Sequence, residues 1–148
     1  MTAVHEIATG YAFLYSTLQA DSTLASLAPG GIHRSIAPNG AATPLIIISF
    51  QSGVDVVTTT GVRLMVNALY QVKAVDQAAN MAGIVAAANQ LDIVLGGSQG
   101  IRNVSVSGGG YVLSCVREGP LAYDDTKLVV GQLWSYLGGL YRVYAEQN

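Results

Sequence analysis

The chain has 148 residues, of which 51% are hydrophobic and only 11% charged, with a net charge of −2 at pH 7. That length suits one domain over residues 1–148 with a sizeable core, and no composition break or linker divides it. Seven scattered basic residues exclude general attraction to nucleic acid or anionic membrane, and so little charge leaves apolar surface that association would remove from water.

Residues 2–27 read as helix: Ile7, Tyr11, Leu14, Tyr15, Leu18, Leu24 and Leu27 make a broad apolar stripe. Asp21 and Ser22 are capping types, so a main helix to about Gln19 and a short piece over 22–28 are expected, stopped by Pro29-Gly30-Gly31. Residues 32–36 suit a short edge strand and Ala37-Pro38-Asn39-Gly40 a turn. Pro44 opens a strand over 45–51 whose Leu-Ile-Ile-Ile run points to burial on both faces.

Residues 62–75 form the longest clean alternation. Leu64, Val66, Ala68, Tyr70, Val72 and Ala74 share one face, and Arg63, Met65, Asn67, Leu69, Gln71 and Lys73 the other. At about 3.3 Å per residue this strand spans roughly 40 Å, more than its own domain covers. The preceding segment 52–61 is polar and β-branched. Either the hairpin continues outward as a two-stranded arm through Thr58, Thr59 and Thr60, or the segment stays mobile until a partner orders it; the arm is favoured. Val54, Val56 and Val57 are too apolar for an idle loop and mark a contact with another component.

A second helix is expected over 77–95, with Met81, Ile84, Val85, Ala88, Leu91 and Leu95 on one face, ended by Gly96-Gly97. Six glycines in 96–110 predict a loop with a short strand at 103–107. A strand over 111–118 should stop at Gly119-Pro120, residues 121–130 should connect across the sheet, and a last strand should run over 132–146. In that strand Leu133, Leu137, Tyr141 and Val143 have core parity. Trp134, Tyr136 and Tyr144 have the opposite parity, suited to a neighbouring subunit, with a bulge or bend expected at Gly138-Gly139. The fold class is α+β: a mostly antiparallel sheet of four to five strands, two helices on one face, and a long hairpin arm.

Residues that carry chemistry are sparse. Cys115 is alone, so no internal disulfide forms, an intracellular setting is the easier fit, and its place in a strand makes it a packed hydrophobe. No export signal or membrane-spanning run is present, so a soluble protein is expected. The glycine segment lacks a Gly-Lys-Ser/Thr ending and opens no helix, so it is no phosphate site. His5 and His33 suit surface or capping roles, and Asp124-Asp125 a solvated loop pair. No catalytic, metal or cofactor residue is assigned.

Several segments in shared order carry a resemblance: Leu24-Ala25-Ser26-Leu27, Gly31-Ile32-His33, Ala37-Pro38-Asn39-Gly40 and Thr43-Pro44-Leu45-Ile46-Ile47. Further on come Ala68-Leu69-Tyr70-Gln71-Val72-Lys73, the helix to Leu91-Asp92, Cys115-Val116-Arg117-Glu118, and Leu137-Gly138-Gly139-Leu140-Tyr141-Arg142-Val143-Tyr144. Over nearly its whole length the chain resembles the tail-terminator and tail-completion proteins of long-tailed phages, the family of the lambda tail terminator. It departs from them in the Gly-rich 96–110 and valine-rich 52–61.

The resemblance implies a structural virion protein without enzymatic activity or cofactor. Such a protein forms a homo-hexameric ring that ends the tail tube and meets the head connector or a head-completion protein. It would sit at the head-proximal end of the tail after assembly in the host cytoplasm, with DNA passing through the lumen but no sequence-specific nucleic-acid contact and no membrane. In that setting Val54, Val56, Val57, Thr58, Thr59 and Thr60 would face the tail tube or an adjoining ring. A neck or head-completion adaptor ring is the alternative. A small hydrolase or ligand-binding domain using Asp124, Asp125 and His33 is a remote one, and it needs a closed pocket that joins them.

Overall fold

The computed structural model describes residues 5–77, 81–126 and 133–147, and the backbone alone at Asp125, Thr126 and Leu133. Residues 2–4 of the first expected helix, 78–80 of the second, 127–130 of the expected connection and Gln132 lie outside the described residues, as does the side chain of Leu133. In chain order the elements are α1 (Glu6–Gln19), α2 (Ser22–Leu27), β1 (Ile32–Arg34), β2 (Leu45–Val57) and β3 (Arg63–Asp76). A 3₁₀ turn (Ala82–Ile84) leads into α3 (Val85–Val94), then β4 (Ile101–Ser105), β5 (Tyr111–Thr126) and β6 (Leu133–Glu146).

The strands form one curled sheet in the order β1-β2-β3-β6-β5-β4. Every pairing is antiparallel except β1 with β2, which is parallel. The fold class is therefore α+β, with six described strands in a mixed sheet and three α-helices, against the four to five strands and two helices expected. The extra strands are short edge pieces, and the third helix arises because Asp21 ends one helix and caps the next. Its carboxylate accepts the Leu24 amide at 2.9 Å and the Gln90 side-chain amide at 2.9 Å, so one N-cap also ties α2 to α3.

The even-numbered positions Val66, Ala68, Tyr70, Val72 and Ala74 of β3 are all at most 5% exposed, beneath the helices. Leu64 is 49% exposed, because β3 has passed the end of β6 there: their register runs only from Val66–Ala145 to Asp76–Ser135. Beyond it β2 and β3 continue alone as a hairpin, closed by the Thr58 amide donating to the Val62 carbonyl. In α1 the core residues are Phe13, Leu14 and Leu18, whereas Tyr15 is 39% exposed. The helix expected from residue 77 begins only at Val85, which is 43% exposed; Ile84, Ala87, Ala88, Leu91 and Leu95 face the core.

Two expectations about the far side of the sheet are corrected. The strand thought to stop at Gly119-Pro120 continues to Thr126, so 121–126 belong to β5 rather than to a crossing connection. The last β4 pairing is Ile101 with Cys115, so Pro120 lies on a sheet edge, where a missing amide is tolerated. Nor does β6 bulge at Gly138-Gly139: its pairing with β3 is unbroken there, and the irregularities fall in β5, between Val112 and Ser114 and between Arg117 and Gly119. Gly138 serves close approach instead, because a Cβ would sit 2.0 Å from the Val72 carbonyl oxygen.

Tyr70 fastens α1 to the sheet. It is fully buried, its hydroxyl donates to the Ile7 carbonyl at 2.8 Å, and Tyr11 and Phe50 meet its ring edge-on at 5.2 and 5.8 Å. Burial pushes its hydroxyl pKa well above the ordinary value. Tyr11 in turn accepts the Phe50 amide at 2.7 Å, just past the stretch of β2 that β1 covers. On the other side Tyr141 donates to Asp92 of α3 at 2.9 Å, and Asp92 pairs with Arg117 of β5 at 3.6 Å.

A Cβ on Gly10 would lie 2.2 Å from the Tyr70 hydroxyl oxygen. Alanine is favoured over glycine in a helix by about 1 kcal/mol, but overpacking a fixed core costs about 1–3 kcal/mol. Gly10→Ala should therefore lower the melting temperature, and Tyr70→Phe in the same chain should recover part of the loss; denaturant unfolding of both variants checks this. Cys115 is fully buried and its thiol pKa is pushed up to about 12 by burial. It should resist alkylation in the native state and react at the rate of global opening. Its folded pKa is raised, so this thiol's contribution to stability is present below the unfolded thiol's pKa of about 8.5 and shrinks as pH rises above it.

Candidate functional site

The helices cover one face of the sheet; the other carries none among the described residues. Parity assigns that open face Leu45 of β2, Asn67, Leu69, Lys73 and Val75 of β3, and the even positions of β6. Leu45, Leu69 and Val75 are only 2–7% exposed there. At this end Trp134, with Leu45 and the 37–41 turn, lines a cavity of about 420 Å³.

At the centre of the open face Tyr136 of β6 and Tyr123 of β5 stack with centroids 4.4 Å apart and planes 13° from parallel. The Lys73 ammonium donates to the Tyr123 hydroxyl at 2.7 Å and lies 5.3 and 5.2 Å from the two ring centres, within cation–π range. Lys73 stands directly opposite Gly138, and Gly138 opposite Leu121. With no side chain on Gly138, the lysine stem is free to cross β6 toward Tyr123. Further along, Arg142 bonds Glu118 and the Asn67 side-chain carbonyl, while the Asn67 amide donates to the Tyr144 hydroxyl at 3.1 Å. The Arg142 hydrogen bond holds the Glu118 carboxyl below its usual range.

The second surface is the hairpin arm. Val54 is 67% exposed, Val57 53%, Val62 59% and Leu64 49%, while Val56 is half-buried. The turn is ordered by threonine hydroxyls: Thr58 Oγ1 meets Thr60 Oγ1 at 2.8 Å and accepts the Val62 amide at 3.1 Å, with Thr59 exposed. Beside the turn the arm is tied to α1 by Arg63 and Glu6, 3.0 Å apart. Glu6 is 2% exposed and its second oxygen has no partner among the described residues.

The six arm positions singled out in the sequence thus come together at one hairpin. Trp134, Tyr136 and Tyr144 share a face but not a single patch: Trp134 and Tyr144 are ten residues apart, roughly 33 Å along the strand. Tyr144 lies nearer the arm, in one cross-strand row with Asn67 and Val54. Lys73 and Tyr123 were missed as site residues. Tyr123 fell in the expected connection, and Lys73 becomes conspicuous only when the β3–β6 register sets it beside Gly138.

The structure does not join the residues of the hydrolase reading. His33 is in β1 and Asp124 in β5, on strands four places apart in the sheet, roughly 19 Å at the usual spacing. The His33 ring nitrogen Nε2 is engaged with the Gly30 carbonyl at 2.7 Å, and His5 Nδ1 caps α1 by accepting the Ile7 amide. A cavity of about 310 Å³ between α1, α2 and β1 is lined by Tyr15, Leu24, Ile32 and His33 among others, without a carboxylate. Among the described residues no group of three His, Cys, Asp or Glu could hold a metal, and no helix is long and apolar enough to cross a membrane.

No family model matches this sequence, and no curated protein matches it. Among solved structures the fold is similar to a chain of the "Virion of native gene transfer agent (GTA) particle". The similarity covers 90% of this chain and 91% of that one, with a TM-score of 0.55 and 20% sequence identity, which is a likeness of fold.

Proposed function

We propose that this chain is a structural virion protein of a long-tailed, phage-like particle. It forms a homo-hexameric ring that ends the tail tube and joins it to the head connector or a head-completion protein. The observation that carries the reading is the fold shared, nearly end to end, with a virion chain of a gene transfer agent particle. The uncovered sheet face and the exposed apolar arm support it, because both are surfaces that association removes from water. In this reading Trp134, Tyr136 and Tyr144 face a neighbouring subunit, and the arm with Val54, Val56, Val57 and Thr58, Thr59 and Thr60 makes a second contact, toward the tail tube or an adjoining ring. No reaction and no cofactor are part of the role. DNA passes through the lumen without being read.

A neck or head-completion adaptor ring would use the same surfaces, and its position in the particle, seen by electron cryo-microscopy, separates it from a terminator. Light scattering should show a ring of the isolated protein, or one that forms on tail tubes; a strict monomer under both conditions would sink the proposal. The arm is checked by Val54→Thr with Val57→Thr, which keeps shape and strand preference but adds hydroxyls at exposed sites. Monomer stability should move by no more than about 0.5 kcal/mol. Particle joining should fall by about tenfold or more, since covering two unpaired hydroxyls costs on the order of 1 kcal/mol each.

A further inference from the structure

The sheet is only half covered along each of its two edges. β1 pairs with β2 over residues 46–48 alone, and β4 pairs with β5 only as far as Cys115. Traced through the registers, these short strands stand at diagonally opposite corners: Ile46 lies in one row with Ala74 and Leu137, whereas Cys115 lies in one row with Val143 and Ala68. Among the described residues no strand borders the outer edge of β2 over 52–57, or that of β5 over 120–126. Val54, Asp55 and Val57 are exposed, as are Ala122, Tyr123 and Asp124. A strand edge of this kind is a template for pairing with another chain.

The two edges fit each other. Three antiparallel steps separate β2 from β5, so the two run in opposite directions, and copies in the same orientation bring them together antiparallel. The helix layers of both copies then lie on one side, and residues of the open face oppose residues of the open face. The bulge between Phe50 and Ser52 gives Val54 and Val56 that parity, opposite Asn67 and Met65, and Leu121 and Tyr123 share it, opposite Gly138 and Tyr136. One register matches the apolar positions: Val56 against Leu121 and Val54 against Tyr123, with Asp55 against Ala122 on the other face. A slip of two residues loses the match, setting Val56 against Gly119 one way and Val54 against Asp125 the other. The ladder ends at Val57 against Pro120, which has no amide to donate.

We propose that the arm of one copy adds to the sheet of the next, residues 52–57 of β2 forming an antiparallel ladder with 120–125 of the neighbour's β5. The inference rests on the ring reading and specifies its subunit contact. β1 and β4 lie outside the paired stretches, one beyond each end, so neither has to move. Such a contact is head-to-tail, the kind that closes into a ring when the rotation per copy allows. It uses the edge of the arm, and the turn at Thr58, Thr59 and Thr60 stays free for the next layer.

Hydrogen exchange on the wild-type chain tests the edges. In the dilute monomer the outward-pointing amides of 52–57 and 121–125 should exchange freely, and assembly should slow both sets together by about a hundredfold or more. The register is read from Val56→Cys with Leu121→Cys in one chain. These sites are on strands three places apart, roughly 14 Å, too far for an internal bridge, and Cys115 is buried. Oxidised assemblies should give covalent multimers on a denaturing gel, about tenfold more than Ser52→Cys with Leu121→Cys, which is four residues out of register. Edge amides already protected in the monomer, protection of one edge without the other, or equal coupling of the two cysteine pairs would overturn the ladder while the ring reading stands. A wild-type chain that stays monomeric at every concentration and on tail tubes would remove both.

Discussion

The structure depends on β3 having a strand on each side and different surroundings above and below. Between β2 and β6 its amides and carbonyls are used in two ladders, so its register constrains both neighbours. Strict alternation then sends Tyr70, Val72 and Ala74 beneath the helices and Lys73 and Gln71 to the opposite face. A slip of one residue would bury the lysine in the helix interface and expose the tyrosine, so the register is held by the energies of both faces.

Polar groups set the docking of the helices on that strand. Apolar contact presses α1 and α3 onto the sheet without direction, whereas the hydroxyls of Tyr70 and Tyr141 each meet one acceptor on one helix. Gly10 lets α1 come close enough for the first of these bonds. Asp21 has a comparable role between α2 and α3, capping one helix and bonding the other. These bonds orient the helix layer on the strands.

The proposed assembly would use what this layer leaves over. Among the described residues three helices cover one face of a six-stranded sheet, and β2 and β3 continue past the last pairing with β6. A monomer therefore keeps an aromatic face with a lysine in it and an arm with valines on it. Both features are costly in water, which is the basis for reading them as contact surfaces.

Local pattern in the sequence was enough for the α+β class, the alternation of β3 and β6, the capping by Asp21 and the burial of Cys115, because these rest on side-chain periodicity and short-range hydrogen bonds. It was also enough to mark the arm, since valines beyond a strand's own core are anomalous wherever they point. Pairing lay beyond it. That β1 runs parallel to β2, that β5 continues past Pro120, and that Gly138 sits against β3 without a bulge all depend on which strand lies alongside, a long-range choice with no local signature. The Lys73, Tyr123 and Tyr136 frame has the same character: its residues are 50 and 13 positions apart in the chain, and only the register of three strands brings them into contact.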